Sequence, residues 1–79
     1  MQEFTVCFHS FRDIQDFTAL CGKQPFRVQI GNGRHQVNAS SLLGILSLNC
    51  RKPLTVTFTC DQEDLLRFTQ AASRFLADT

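Results

Sequence analysis

The stretch VNASSLLGILSLNCRKPLTVTF, residues 37–58, holds a strand end, a short helix, a loop and a complete strand. Asn38 or Ser40 caps the helix in this reading, because each offers a side-chain oxygen to the open N–H groups of a first turn. Leu42, Leu43, Ile45 and Leu46 follow, so the helix is apolar nearly all round, whereas a short surface helix ordinarily keeps a polar face. Asn49 to Pro53 reads as a loop. Leu54-Thr-Val56-Thr-Phe58-Thr-Cys60 then alternates with the period of a half-buried strand and is the clearest strand in the chain.

Working upstream, Phe26-Arg-Val28-Gln-Ile30 alternates in the same way. Gly31-Asn32-Gly33 is a tight-turn signal, which returns Arg34 to Val37 as an antiparallel neighbour. Before these, Phe4, Val6 and Phe8 alternate with Thr5 and Cys7. Ser10 then opens a helix, with Asp13 three residues later as a variant of the capping box. Ile14, Phe17, Leu20 and Cys21 recur at helical spacing, Gly22 suits the helix end, and Pro25 separates helix from strand. Downstream, Asp61 caps a last helix whose Leu65, Phe68, Ala72, Phe75 and Leu76 form one buried stripe. The order β-α-β-β-α-β-α predicts an α+β two-layer sandwich with helices covering one face of four strands, and by itself leaves several topologies open.

The chain has 79 residues, 43% of them hydrophobic, which suits one small domain over residues 1–79. Eight Phe and no Trp or Tyr supply its aromatic content. A net charge of +1, with the basic residues spread along the chain, argues against a nucleic-acid or membrane partner. No apolar run approaches the roughly 20 residues of a membrane span. No secretory leader precedes Phe4, so a cytoplasmic location is expected. Cys7, Cys21, Cys50 and Cys60 form no C-x-x-C pair and have no paired histidines, so reduced thiols and no metal site are expected. No Ser–His–acid set, paired carboxylates or phosphate-binding glycine loop is visible, and the chain is not read as an enzyme or as a cofactor binder.

Residues 37–58 resemble the HPr family, the histidine-containing phosphocarriers of the bacterial sugar phosphotransferase system. In that family a strand ending in Val-Asn or Val-Asp leads to a helix of the pattern Lys-Ser-Ile-Met-Gly-Val-Met-Ser-Leu. Val37, Asn38, Ser41, Gly44, Ser47 and Leu48 match, and Leu42, Leu43, Ile45 and Leu46 are conservative replacements. The resemblance implies an HPr-like open-faced sandwich, with a four-stranded antiparallel sheet covered on one face by three helices.

The family's chemistry lies at the junction of the first strand and first helix, in a Gly-(Ile/Leu)-His-Ala-Arg-Pro-Ala segment. There a phosphoryl group on the imidazole faces the open N–H groups and positive end of the helix, with an arginine close by. The corresponding stretch here is FHSFRD, residues 8–13. Counting back without a gap from Ser41 puts Ser10 at the histidine position and Arg12 at the arginine, and the family's glycine and proline are absent. His9 stands one residue before the cap. Asp13 suits a bare helix end but would repel a phosphoryl group there, by roughly 3 kcal/mol for unit charges about 5 Å apart at an effective dielectric constant of ~20. Ser10 is a poor replacement for the histidine, since a serine phosphate is a stable ester and phosphohistidine carries its group on a labile P–N bond.

Catalytic candidates are therefore His9, Ser10 and Arg12. The plainer alternative makes Ser10 a helix cap and His9 a solvent-facing strand end. Ser41 matches the serine that some Gram-positive members phosphorylate for regulation, although the lysine that usually precedes it is Ser40 here. Phe11, Arg12 and Gln15, with Leu42, Leu43 and Leu46, form the expected partner-binding surface, some of those leucines being needed for the core. The resulting expectation is an HPr-like monomer that has lost phosphotransfer and binds phosphotransferase components or a regulator. The alternative is a working phosphocarrier using His9.

Overall fold

The structure, a computed structural model, describes residues 1–77. Its elements are β1 (Gln2–Val6), α1 (Phe11–Gly22), β2 (Val28–Gly31), β3 (Gln36–Asn38), α2 (Leu42–Leu46), β4 (Leu54–Phe58) and α3 (Gln62–Ala71), followed by a 3-10 turn at Ser73–Phe75. The four strands form an antiparallel sheet in the order β1-β4-β2-β3. This is the α+β arrangement of the HPr fold, in the predicted element order.

Strand alternation explains why the sheet is covered on one face. Val56 lies between Phe4 and Ile30, and Ile30 beside Val37; Phe58 lies between Gln2 and Val28. These rows face the helices and include the fully buried Val56 and Ile30. The intervening rows, Glu3–Thr57–Gln29 and Thr5–Thr55–Gly31, are mostly polar and make the open face. Two aromatic groups fill the space beneath α1 and α3. Phe4, Phe26, Phe58 and Phe68 meet at centroid distances of 5.1–5.6 Å. Phe8, Phe17 and Phe75 meet at 5.2–6.1 Å.

Several boundaries differ from the sequence expectation, each for a local reason. β1 stops at Val6 because its partner β4 begins at Leu54; Cys7 N–H instead donates to the Phe75 carbonyl at 2.8 Å, and Phe8 packs outside the strand. β2 begins at Val28, since Phe26 is taken up by stacking on Phe58. The hairpin turn spans residues 32–35: the Asn32 carboxamide accepts the N–H groups of Arg34 and His35, so β3 starts only at Gln36. Gly33 turns the chain at φ +94°, and Gly31 lies in the strand with the His35 carbonyl where a Cβ would sit.

Helix ends also differ. Lys23, after Gly22, stays right-handed at φ −89°, so α1 closes without a left-handed glycine cap. β4 ends at Phe58 because the Gln2 side chain takes both backbone groups of Cys60. The last stripe is not one helical face: α3 ends at Ala71, Phe75 N–H bonds to Ala72 O in a 3-10 turn, and Leu76 forms an antiparallel bridge with Val6. Residues 75–77 therefore line the outer edge of β1, where Ala77 N–H donates to Thr5 O at 2.9 Å. All four cysteines are free thiols, and burial pushes the Cys21 thiol up to about 12.

Candidate functional site

Once β1 releases the chain at Val6, residues 7–10 cross to the start of α1, pinned by Phe8 against Phe17 and Phe75. Ser10 is the N-cap of α1, with extended backbone and its Oγ accepting the Asp13 N–H at 3.2 Å. Asp13 reaches back in return, but to a different donor from that of the usual capping box. Its Oδ2 accepts the N–H of His9, one residue before the cap, at 3.0 Å. The amides of Phe11 and Arg12 have no hydrogen-bond partner among the described residues.

A second arginine completes this junction. Arg74 in the C-terminal 3-10 turn donates to Asp13 Oδ1 at 3.1 Å and to Asp16 Oδ2 at 2.7 Å. Its guanidinium carbon lies 4.3 Å from the centroid of the Phe75 ring, which supports it from below. Arg12 pairs with the other oxygen of Asp16 at 3.4 Å and is itself largely exposed. The bond from His9 N–H, together with the charge and hydrogen bond of Arg74, holds the Asp13 carboxyl below its ordinary value of 3.8 against the opposing effect of burial. The His9 imidazole is exposed and makes no hydrogen bond or ion pair among the described residues.

Three of the expected residues, His9, Ser10 and Arg12, thus share one junction, but only Ser10 and the His9 backbone join its hydrogen-bond network. Sequence reading missed Asp16 and Arg74. Asp16 stands at i+4 from Arg12, a spacing that could have flagged the pair. Arg74 is 61 residues from Asp13, and nothing local in the sequence connects them.

At α2 the cap is Ser41, whose Oγ accepts the Gly44 N–H at 3.1 Å. Neither Asn38 nor Ser40 holds that position. The Asn38 side chain instead accepts both the N–H and the hydroxyl of Ser40, closing a turn at the end of β3 before the helix can begin. The leucines divide by face. Ile45 is fully buried and Leu42 packs half-buried against the core, whereas Leu43 is 81% and Leu46 43% exposed. Phe11, 52% exposed, is the one Phe outside the two aromatic groups, and Gln15 is exposed a turn later on α1. Gly44 allows close packing, since a Cβ there would lie 3.2 Å from both Ser41 Oγ and Val37 Cβ.

A family model described as the PTS HPr component phosphorylation site matches residues 9–78. The chain belongs to the HPr family. The match begins at His9 and runs through the capped junction, α2 and the last helix. HPr-family proteins interact with other phosphotransferase-system proteins. No curated protein matches the chain. Among the described residues, no helix of this HPr-family chain is long and apolar enough to cross a membrane, and no group of His, Cys, Asp and Glu side chains could hold a metal ion.

Proposed function

We propose that this HPr-family chain is a single-domain docking module of the phosphotransferase system that does not transfer a phosphoryl group. The observation that carries the reading is Asp13. Its carboxylate lies in the first turn of α1, bound to His9 N–H and Arg74, in the region where a carrier needs room for an incoming anion. Ser10, at the family's histidine position, has its oxygen engaged as a cap and could form only a stable ester. The module acts as a cytoplasmic monomer, neither an enzyme nor a cofactor binder, and meets phosphotransferase components or a regulator. Phe11, Arg12 and Gln15 with Leu43 and Leu46 form the contact surface, and Leu42 supports it from the core side. Ser41 is the candidate for regulatory phosphorylation.

The second reading, a phosphocarrier using His9, is favoured by its exposed and unengaged imidazole. Incubation with phosphoenolpyruvate and the general phosphotransferase enzyme separates the two. The docking reading expects no acid-labile phosphate by intact mass; an acid-labile, hydroxylamine-sensitive phosphate that vanishes in His9→Ala establishes the carrier instead. Serine-kinase treatment of the wild type and Ser41→Ala tests the regulatory site, and equal uptake by both removes Ser41.

A further inference from the structure

Side-chain length shapes the open face of the sheet. The row Glu3–Thr57–Gln29 lies on that face, and strand alternation adds Met1, Thr59 and Arg27, each two residues further along the same strand line. Along the central strand the threonines are short, whereas Arg27 and Gln29 on one side and Met1 on the other are long. The result is an open trough of about 260 Å³, lined by Met1, Arg27, Gln29, Thr57, Phe58 and Thr59. It lies at the sheet end where Gln2, Phe58 and Val28 pair, whereas α1 begins at the other end, beyond Val6 and Leu54. The trough is therefore remote from Phe11 and on the face away from α2.

The fold leaves the polar groups of this trough unengaged. Among the described residues, the side chains of Arg27, Gln29, Thr57 and Thr59 form no hydrogen bond, and Arg27 has no ion pair. Arg12, Arg67 and Arg74, by contrast, all pair with carboxylates. The only acid in the four strands is Glu3, and it stands across Thr57 from β2, about 10 Å away by strand spacing. A free guanidinium offers parallel N–H donors that match a carboxylate, and the neighbouring hydroxyls and carboxamide add further donors. The threonine methyls and the Met1 side chain supply apolar contact beside them.

We propose that this trough binds a small monocarboxylate, its carboxylate on Arg27 and its carbon chain along Thr57 and Thr59 toward Met1. Volume limits the ligand to metabolite size, since sites for drug-sized molecules occupy roughly 300–1,000 Å³. Charge selects the class. One cation matches one negative charge, and the second charge of a phosphate would meet the repulsion of Glu3. The inference is independent of the docking reading, because it uses the opposite face of the sheet.

The test titrates the isotope-labelled protein with sodium butyrate, butyramide and inorganic phosphate at constant ionic strength, following backbone amide shifts. Butyrate is expected to give saturable shifts centred on residues 27–29 and 57–59, which the neutral butyramide does not reproduce. Arg27→Gln should weaken butyrate binding about tenfold or more. Lys52→Gln removes one positive charge at the other end of the sheet and should leave the affinity unchanged. Both substitutions are at exposed positions, and the amide spectrum of each variant reports its folding. Shifts that do not saturate, that butyramide reproduces, or that persist at full strength in Arg27→Gln overturn the proposal. So does an equal loss in Lys52→Gln, which would assign the effect to net charge. Phosphate binding as tightly as butyrate overturns the choice of a monocarboxylate.

Discussion

Asp13 joins three parts of the chain: its N–H is held by Ser10, and its carboxylate binds the N–H of His9 and the guanidinium of Arg74. The His9 N–H and the Arg74 guanidinium favour the ionised carboxylate, so its folded-state value is depressed relative to 3.8. The sign follows directly: stability from this group is complete well above 3.8 and is lost as pH falls below that value through the lowered folded one. Thermal melts over this acid range should show the wild type losing stability as pH drops, with a flatter profile in Asp13→Asn. Identical slopes in both would show that Asp13 does not carry the linkage. Ser10→Ala removes only the cap and should cost about 1 kcal/mol in denaturant unfolding at neutral pH. Ser10 and Asp13 were legible as a cap in the sequence because capping is decided within four residues. The His9 donor and Arg74 were not, since one depends on how the chain leaves β1 and the other on where the C-terminal turn lands.

At the scale of elements, α2 shows how a helix that looks apolar all round can still have two faces. Five residues make little more than one turn, so Ile45 turns toward the sheet while Leu43 and Leu46 remain outside. Composition supplies the leucines, but only packing against β3 and α1 assigns them. Substituting outward residues removes little buried area, so Phe11→Ala and Leu43→Ala/Leu46→Ala should each change unfolding free energy by only about 0.5 kcal/mol. The same variants should weaken binding of the general phosphotransferase enzyme in calorimetry by about tenfold or more, as truncation of apolar interface anchors does. Unchanged affinity would remove these residues from the docking surface. The last helix offers the opposite lesson. Its apolar spacing predicted one continuous stripe, yet the chain tightens into a 3-10 turn after Ala72 so that Phe75 reaches Phe17 and Leu76 reaches Val6.

Over the whole molecule, two aromatic groups and the aliphatic rows of the sheet form one continuous core. Phe68 is fully buried and touches Phe4, Phe26 and Phe58, so it links β1, β4, α3 and the segment before β2. Truncating it to Ala leaves a cavity among rings that cannot all move in, at a cost of about 3–5 kcal/mol. Domains are stable by roughly 0.05–0.15 kcal/mol per residue, so this loss takes a large share of the total for a chain this short. Circular dichroism should find Phe68→Ala largely unfolded or melting far below the wild type. A melt within a few degrees of wild type would show that the ring is not the keystone its contacts suggest.

Local physics made much of this protein readable from its sequence alone. The alternation of Leu54 to Phe58, the caps at Ser10 and Asp61, and the Asn–Gly turn each depend on neighbours a few residues away, and together they determined the element order. The match of residues 37–48 to the HPr helix then pointed to the sheet's topology. Tertiary structure decided what depends on distant partners. It matched Arg74 to Asp13 across the chain, turned Leu43 outward and Ile45 inward, and brought Arg27 beside Thr57 and Thr59. Charge and exposure depend on which residues meet in space, and strand pairing is what brings them together.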